Sequence, residues 1–363
     1  MDNIANIFRD KKVIITGHTG FKGSWLSLWL SLLGSKLYGI SKDIPTDPSN
    51  YKSSMIEDLV EDIRMDITEF TKLEKCIEEI QPDFIFHLAA QPIVGHSIKH
   101  PLETWRTNTI GTINLLEGIR KKLKKCIAVF ITSDKVYDNQ EWCWGYREND
   151  KLGGSDPYSA SKAGAELSIS SYYKTFFKEN SDIRICSVRA GNVIGGGDWA
   201  NNRIIPDCIK SWFKNQSVIL RNPYSTRPWQ HVLEPLSGYL TVASMLKDNI
   251  NLNGETYNFG PSSEQNKTVK DLVESLSKYF PYGNYSIDKN YIKNDSESKL
   301  LKLNCDKSQN DLKWVPTLDL DMTLKYTSDW YKEYQISPKS TRKISKDQII
   351  HFSKINKNYL FNS

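Results

Sequence analysis

The run Thr16-Gly17-His18-Thr19-Gly20-Phe21-Lys22-Gly23 constrains the fold more than any other stretch of this chain. It follows the apolar, β-branched run Val13-Ile14-Ile15 and precedes Ser24 to Leu33, which reads as a helix. A strand, a glycine turn and a helix in that order open a doubly wound α/β sheet. Glycine permits the tight turn, close approach of backbone to a pyrophosphate, and tight helix–strand packing. The helix N-terminus adds free N–H groups and a positive dipole end. The spacing is G-x-x-G-x-x-G, and Gly17, Thr19, Gly20, Phe21, Lys22 and Gly23 are the candidate dinucleotide-binding residues.

Downstream, short apolar runs alternate with helical patterns, as a parallel sheet requires. Strands are expected at Lys36 to Ser41, Asp83 to His87, Cys126 to Thr132 and Arg184 to Arg189. Helices are expected at Leu73 to Ile80, Asn108 to Lys122, and after Asp156-Pro157, where proline suits the first turn. The fold class is therefore α/β, a Rossmann-like doubly wound parallel sheet with a smaller, interleaved C-terminal α/β substrate lobe. Residues 1–190 read as the dinucleotide-binding domain, with later returns near 230–260, where Thr256 to Gly260 looks like a late strand. Residues 191–335 read mostly as the substrate lobe, and 336–363 as a basic, partly solvated tail.

Acid or base at the end of the second strand sets cofactor choice. Asp43 favours NAD through the ribose hydroxyl, and Lys42 favours the phosphate of NADP. Asp66-Ile67, expected at the end of the third strand, is placed to meet the adenine.

Composition narrows the class. Hydrophobic residues make up 39% and charged residues 25% of 363, the balance of a globular protein. No apolar run is long enough to span a bilayer, and the N-terminus lacks a signal-peptide layout, so no membrane partner is expected. Six scattered cysteines without C-x-x-C suggest neither zinc nor disulfides and favour a reducing, cytoplasmic setting. The net charge of +5 resides in residues 336–363, where six basic residues face one acid. The remainder is formally neutral, which argues against a nucleic-acid partner.

Tyr158 and Lys162 share one helix face at i, i+4. A cation there favours the phenolate and lowers the phenol toward the range of a general base. Tyr38/Lys42 and Tyr285/Lys289 have the same spacing, but Tyr38 lies within a strand and Tyr285 in the polar lobe. Only Tyr158 is accompanied by Ser133-Asp134-Lys135 at the carboxyl end of a strand, where ligands bind in such sheets. Ser133 is a candidate partner of a substrate hydroxyl, Asp134 a general acid, and Lys135 a base or electrostatic anchor.

These features, with His87-Leu88-Ala89-Ala90-Gln91 and Asn108, resemble the extended short-chain dehydrogenase/reductases, the NAD-dependent epimerase/dehydratase group. The runs Gly17 to Leu26, Trp144 to Glu148, Arg189 to Trp199 and Arg227 to Val232 resemble the members that dehydrate nucleotide sugars, over about Lys11 to Trp330. The resemblance implies NAD as cofactor, with Leu88, Ala89, Ala90, Gln91, Asn108, Tyr158 and Lys162 among its contacts. It implies CDP-glucose as substrate, oxidised at carbon 4, dehydrated across carbons 5 and 6, and reduced at carbon 6, a step toward the deoxysugars of surface polysaccharide. Related dTDP-glucose dehydratases carry glutamate as carbon-5 base where this chain has Lys135, which puts that role in doubt. Gln91, Asn192, Trp199, Arg203, Arg221, Arg227 and Trp229 are the substrate-binding candidates: the arginines for the diphosphate, the tryptophans for stacking on cytosine. The resemblance also implies a homodimer or higher homo-oligomer through paired helices. The alternatives are another nucleotide-sugar dehydratase, a 4-epimerase, or a dinucleotide-binding scaffold without catalysis.

Overall fold

The computed structural model describes residues 4–179, 182–262, 266–288 and 300–356. Lys289 and Lys357, part of the sequence readings above, lie outside these. The strands are β1 (Lys12–Thr16), β2 (Lys36–Ser41), β3 (Val60–Arg64), β4 (Phe84–His87), β5 (Cys126–Ile131) and β6 (Ile183–Ala190). Four short pieces follow, β7 (Val193–Ile194), β8 (Val218–Leu220), β9 (Thr226–Pro228) and β10 (Gln230–His231), then β11 (Thr256–Phe259), β12 (Asn266–Thr268) and β13 (Tyr285–Ile287).

The first six strands and β11 form one sheet in the order β11-β6-β5-β4-β1-β2-β3. Every neighbouring pair in it is parallel. That is the dinucleotide-binding order, with β11 added on one edge. The remaining strands pair in twos, β7 with β10, β8 with β13 and β9 with β12, beyond the carboxyl end of β6.

The helices are α1 (Ile4–Phe8), α2 (Phe21–Leu32), α3 (Asn50–Ser53), α4 (Phe70–Ile80), α5 (Val94–Lys99), α6 (Pro101–Trp105) and α7 (Gly111–Lys122). After β5 come α8 (Pro157–Tyr172), α9 (Ile204–Trp212), α10 (Leu233–Leu246), α11 (Val269–Ser277), α12 (Asp306–Leu312), α13 (Leu320–Ile336) and α14 (Thr341–Ile355). One core joins the sheet to α1, α2, α10, α13 and α14 through Phe86, Trp29, Leu240, Trp330 and Phe352. The other joins it to α4, α7 and α8 through Ile85, Ile77, Leu115 and Ile169. Trp25, Leu26, Leu28, Trp29 and Leu30 of α2 are all buried, so this helix is apolar nearly all round because it is covered nearly all round.

Three differences from the sequence reading have physical causes. Helix α2 starts at Phe21 rather than Ser24, because Gly20 is its N-cap and the glycine loop leads straight into the first turn. The expected helix from Asn108 begins with a wide π turn, Arg106–Ile110, before α7 takes over. The basic tail is largely a helix on the core. Ile349 and Phe352 of α14 are fully buried, Phe352 edge-on to Trp29, while Lys343 and Lys354 face solvent. Two such side chains contribute about 1.5–3 kcal/mol each, which outweighs the repulsion of solvated lysines. Among the described residues, no helix is long and apolar enough to cross a membrane.

Candidate active site

The glycine loop closes over the carboxyl edge of the sheet between β1 and α2. Gly17 has φ +76°, and a Cβ there would lie 2.7 Å from the Ala89 amide nitrogen. Only glycine lets this turn lie against the Leu88-Ala89 backbone. The Gly20 N-cap of α2 has no side-chain cap, so the first-turn amides remain available to an anion. Thr19 Oγ1 donates to the Asp43 carbonyl at 2.7 Å, tying the loop to the end of β2. A dinucleotide pyrophosphate fits this cradle.

The flanking candidates are less free. Lys42 lies 3.4 Å from Asp66, whose carboxylate also accepts from the Thr68 amide and hydroxyl. Asp66 stands beyond β3, which ends at Arg64, and is held below the usual carboxylate range by Thr68 and Lys42 against burial. Ile67 is buried, with its carbonyl accepting from Asn114. Asn108 is spent structurally, its Oδ1 accepting from the Gln91 amide and its Nδ2 donating to Ser161 Oγ. The Gln91 side chain is likewise occupied by Thr104 and the Ile93 amide.

His18, inside the glycine loop, has no spacing signal in the sequence that marks it as a functional residue. Its ring is fully buried, with Nδ1 2.9 Å from Ser41 Oγ and Nε2 3.1 Å from an Asp62 carboxylate oxygen. Burial pushes it down to about 4, so it is neutral near pH 7.

Tyr158 and Lys162 lie on the buried face of α8, which starts where Asp156 caps the Tyr158 and Ser159 amides and Pro157 opens the first turn. Ser133 and Asp134 follow β5 and are both buried, with Ser133 Oγ donating to Asp134 Oδ1 at 3.0 Å. Asp134 fits only because residue 191 is glycine, since a Cβ there would lie 1.8 Å from Asp134 Oδ2. Lys135 is half-buried, and its ammonium has no hydrogen-bond partner among the described residues.

The electrostatics differ from the simple tyrosine–lysine expectation. The Tyr158 phenol is raised, burial being the largest cause; a hydrogen bond with Ser133 pulls it down, Asp134 pushes it up, and Arg203 pulls it down. Lys162 donates to the Ile131 carbonyl at 3.2 Å and is pushed down to about 8, first by burial and then by Lys22, with Glu166 opposing. Lys22 is also down to about 8, by desolvation and Arg203 against Asp134 and Asp198, although part of its stem stays in solvent. Lys22 thus disfavours the charge on Lys162, and Arg203 disfavours that on Lys22 while being the cation that acts on the Tyr158 phenol. Desolvation, which spacing cannot reveal, outweighs the neighbouring cation.

The substrate candidates separate into groups. Arg203 pairs with buried Asp198 at 2.9 Å and acts on Tyr158 and Lys22, so it faces the reacting groups. Arg221 is exposed and lies 3.6 Å from Asp207. Arg227 Nη1 donates to the Thr226 carbonyl. Asn192 takes a left-handed φ of +51°, and its carbonyl accepts from the Gln230 amide. Trp199 and Trp229 are both buried, and Trp199 packs against Tyr331 and Tyr334. The packing of Trp199 is a correction to its reading as a stacking face.

A glycine-loop sheet of this strand order, with a Tyr–Lys helix after the fifth strand, is the build of the extended short-chain dehydrogenase/reductases. The chain belongs to the GDP-mannose 4,6 dehydratase family, whose sequence profile matches residues 14–327. It is 46% identical over 334 residues to a Salmonella typhimurium protein named CDP-glucose 4,6-dehydratase, covering 91% of this chain and 92% of that one. It is 28% identical to a Mycoplasma genitalium UDP-glucose 4-epimerase, over 73% of this chain and 81% of that one. Among solved structures, a dTDP-glucose 4,6-dehydratase from Bacillus anthracis in complex with NAD has a similar fold. It superposes with TM-score 0.73 at 23% identity, covering 90% of this chain and 98% of that one.

Proposed function

We propose that this protein is an NAD-dependent CDP-glucose 4,6-dehydratase. The observation that carries the reading is the placing of Ser133, Asp134 and Tyr158 together, electrostatically coupled, within a chain 46% identical to a protein of that name. An epimerase needs the tyrosine but not the acid–base pair Asp134–Lys135.

The glycine cradle would hold the pyrophosphate, and Lys162 the far end of the cofactor. Pairing of Lys42 with Asp66 reduces its use for a 2′-phosphate and supports NAD over NADP. NAD held there would supply a reversible hydride acceptor, so that oxidation at carbon 4 and reduction at carbon 6 cancel and the reaction has no net redox change. Tyr158 takes the proton of the 4-hydroxyl, with Ser133 and Arg203 drawing the phenol toward ionisation. The 4-ketone acidifies the carbon-5 proton. Lys135, whose side chain has no hydrogen-bond partner among the described residues, is the group proposed to take up that proton as the neutral amine. Asp134 protonates the 6-hydroxyl, which leaves as water, and the carbon-5 proton is replaced in the last step. Arg221 and Arg227 remain for the diphosphate.

Incubation of the protein with CDP-glucose and NAD, followed by alkali, tests the function through the ultraviolet absorbance of the 4-keto product. Absence of keto sugar at saturating NAD would refute the reading. Lys135→Met is expected to lower dehydration about 10²-fold while carbon-4 oxidation continues, so absorbance at the reduced-cofactor band accumulates. Wild-type rates of deuterium exchange at carbon 5 in that variant would remove Lys135 from the role.

A homodimer is part of the proposal. Ile98, Leu102, Trp105, Ile110 and Leu167 are exposed on the adjoining elements α5, α6, the π turn and α8. A second copy seated here would cover these apolar side chains. Leu167→Glu should shift the light-scattering mass to that of one chain; an unchanged mass counts against this face.

A further inference from the structure

Beneath Tyr158 and Lys162 lies a buried ion pair for which the proposed reaction has no use. Glu166 follows Lys162 by one turn on the same face of α8, and Arg189 is the next-to-last residue of β6. Their side chains are 4% and 3% exposed. Arg189 Nε and Nη2 bond Glu166 Oε1 and Oε2 at 2.8 and 2.9 Å. Thr132 Oγ1, immediately before Ser133, donates to Oε1 at 2.6 Å, and Ser187 Oγ reaches Oε2 at 3.3 Å.

The arginine is equally constrained. Nη1 donates to Tyr137 Oη at 2.6 Å and to the Glu148 carbonyl at 3.1 Å. Its guanidinium also lies over the Tyr137 ring, which stacks on Tyr146, and Tyr146 on Trp142. Tyr137 Oη in turn donates to Asn258 of β11 at 2.8 Å. Three sheet strands and the loop 137–148 thus converge on one carboxylate of α8.

A buried pair of this kind contributes little stability over apolar residues of equal volume, but it specifies one arrangement when every lone pair is satisfied. We propose that Glu166, clamped by Arg189, is a positioning residue that fixes the Tyr158–Lys162 face against the ends of β5 and β6 and keeps the Lys162 ammonium charged. The titratable groups acting on Lys162 are Lys22 from α2, Glu166 from α8 and His87 from β4. His87 is neutral, pushed down to about 3 by burial. Lys22 opposes protonation of Lys162 and Glu166 favours it, so removing the carboxylate leaves the ammonium with a repelling neighbour.

The inference rests on the reading of Lys162 as a cofactor-holding group. Its test uses NADH binding, followed by quenching of tryptophan fluorescence between pH 6.5 and 9.5, beside turnover of CDP-glucose. Three variants are compared: Glu166→Gln, the double variant Glu166→Gln/Arg189→Met, which leaves no unpaired buried charge, and Glu166→Asp. The alkaline midpoint of NADH binding should fall by about one pH unit in the first two. Glu166→Asp, which keeps the charge, should keep the wild-type midpoint while turnover falls. A purely structural role would weaken binding uniformly with pH. An unmoved midpoint in the folded double variant overturns the inference while leaving the dehydratase reading intact. A wild-type protein that binds no NADH overturns both.

Discussion

Tyr158→Phe is expected to lower turnover of CDP-glucose by about 10³-fold while leaving NADH binding within a few-fold of wild type. The substitution removes one oxygen from a buried ring and leaves the Asp156 cap and the α8 backbone bonds untouched. What disappears is the group that accepts the 4-hydroxyl proton, together with its hydrogen bond to Ser133. The pH dependence carries the same signature. Burial raises the phenol above its ordinary range, so the basic form grows with pH, and wild-type kcat/KM should rise on the alkaline side of neutrality. The residual activity of Tyr158→Phe should lack that rise. Keto-sugar formation after alkali and tryptophan quenching by NADH measure the two quantities separately. Turnover within tenfold of wild type would take the proton-accepting role away from Tyr158.

The parts of this molecule that were legible in the sequence depend on contacts close along the chain. Gly17 to Gly23 join a strand to the first turn of a helix whatever the rest of the protein does, and Asp156-Pro157 caps the helix that carries Tyr158 by local bonding alone. What escaped depends on distant partners. Whether Trp199 offers a ring face or fills a core is decided by Tyr331 and Tyr334, more than 130 positions away. Glu166 was readable as the next member of the Tyr158–Lys162 series at i+4. Only folding brings it to Arg189, and only burial makes the pair matter. The 336–363 segment shows the opposite error. Its six basic residues dominated the reading, although Ile349 and Phe352 stand at helical spacing and were sufficient to dock α14. For Tyr158 itself, the i+4 lysine was found, but its effect depends on desolvation, which no spacing reports.

Glu234→Gln should raise stability by roughly 3 kcal/mol at pH 7, with the gain vanishing near pH 4. Glu234 lies in the first turn of α10 and is 1% exposed. Its Oε1 accepts from the Thr317 and Leu318 amides at 2.9 and 2.6 Å, and Oε2 has no partner among the described residues. Two N–H donors favour the carboxylate, but burial wins and pushes the group up to about 8. In the unfolded chain the same carboxyl ionises near its ordinary value of about 4.3. The sign follows from these positions. Below the unfolded value both states hold the proton and the group is neutral toward folding. Between the two values the folded state keeps a proton that the unfolded state has released, so stability falls by about 1.4 kcal/mol per pH unit until the folded group ionises. Glutamine keeps the Oε1 acceptor and the shape but has no proton to hold, so its stability lacks this slope. Thermal melts of both proteins between pH 4.5 and 8.5 should start together and separate steadily, with the variant melting higher. Parallel curves across that range would show that Glu234 does not carry the expected proton.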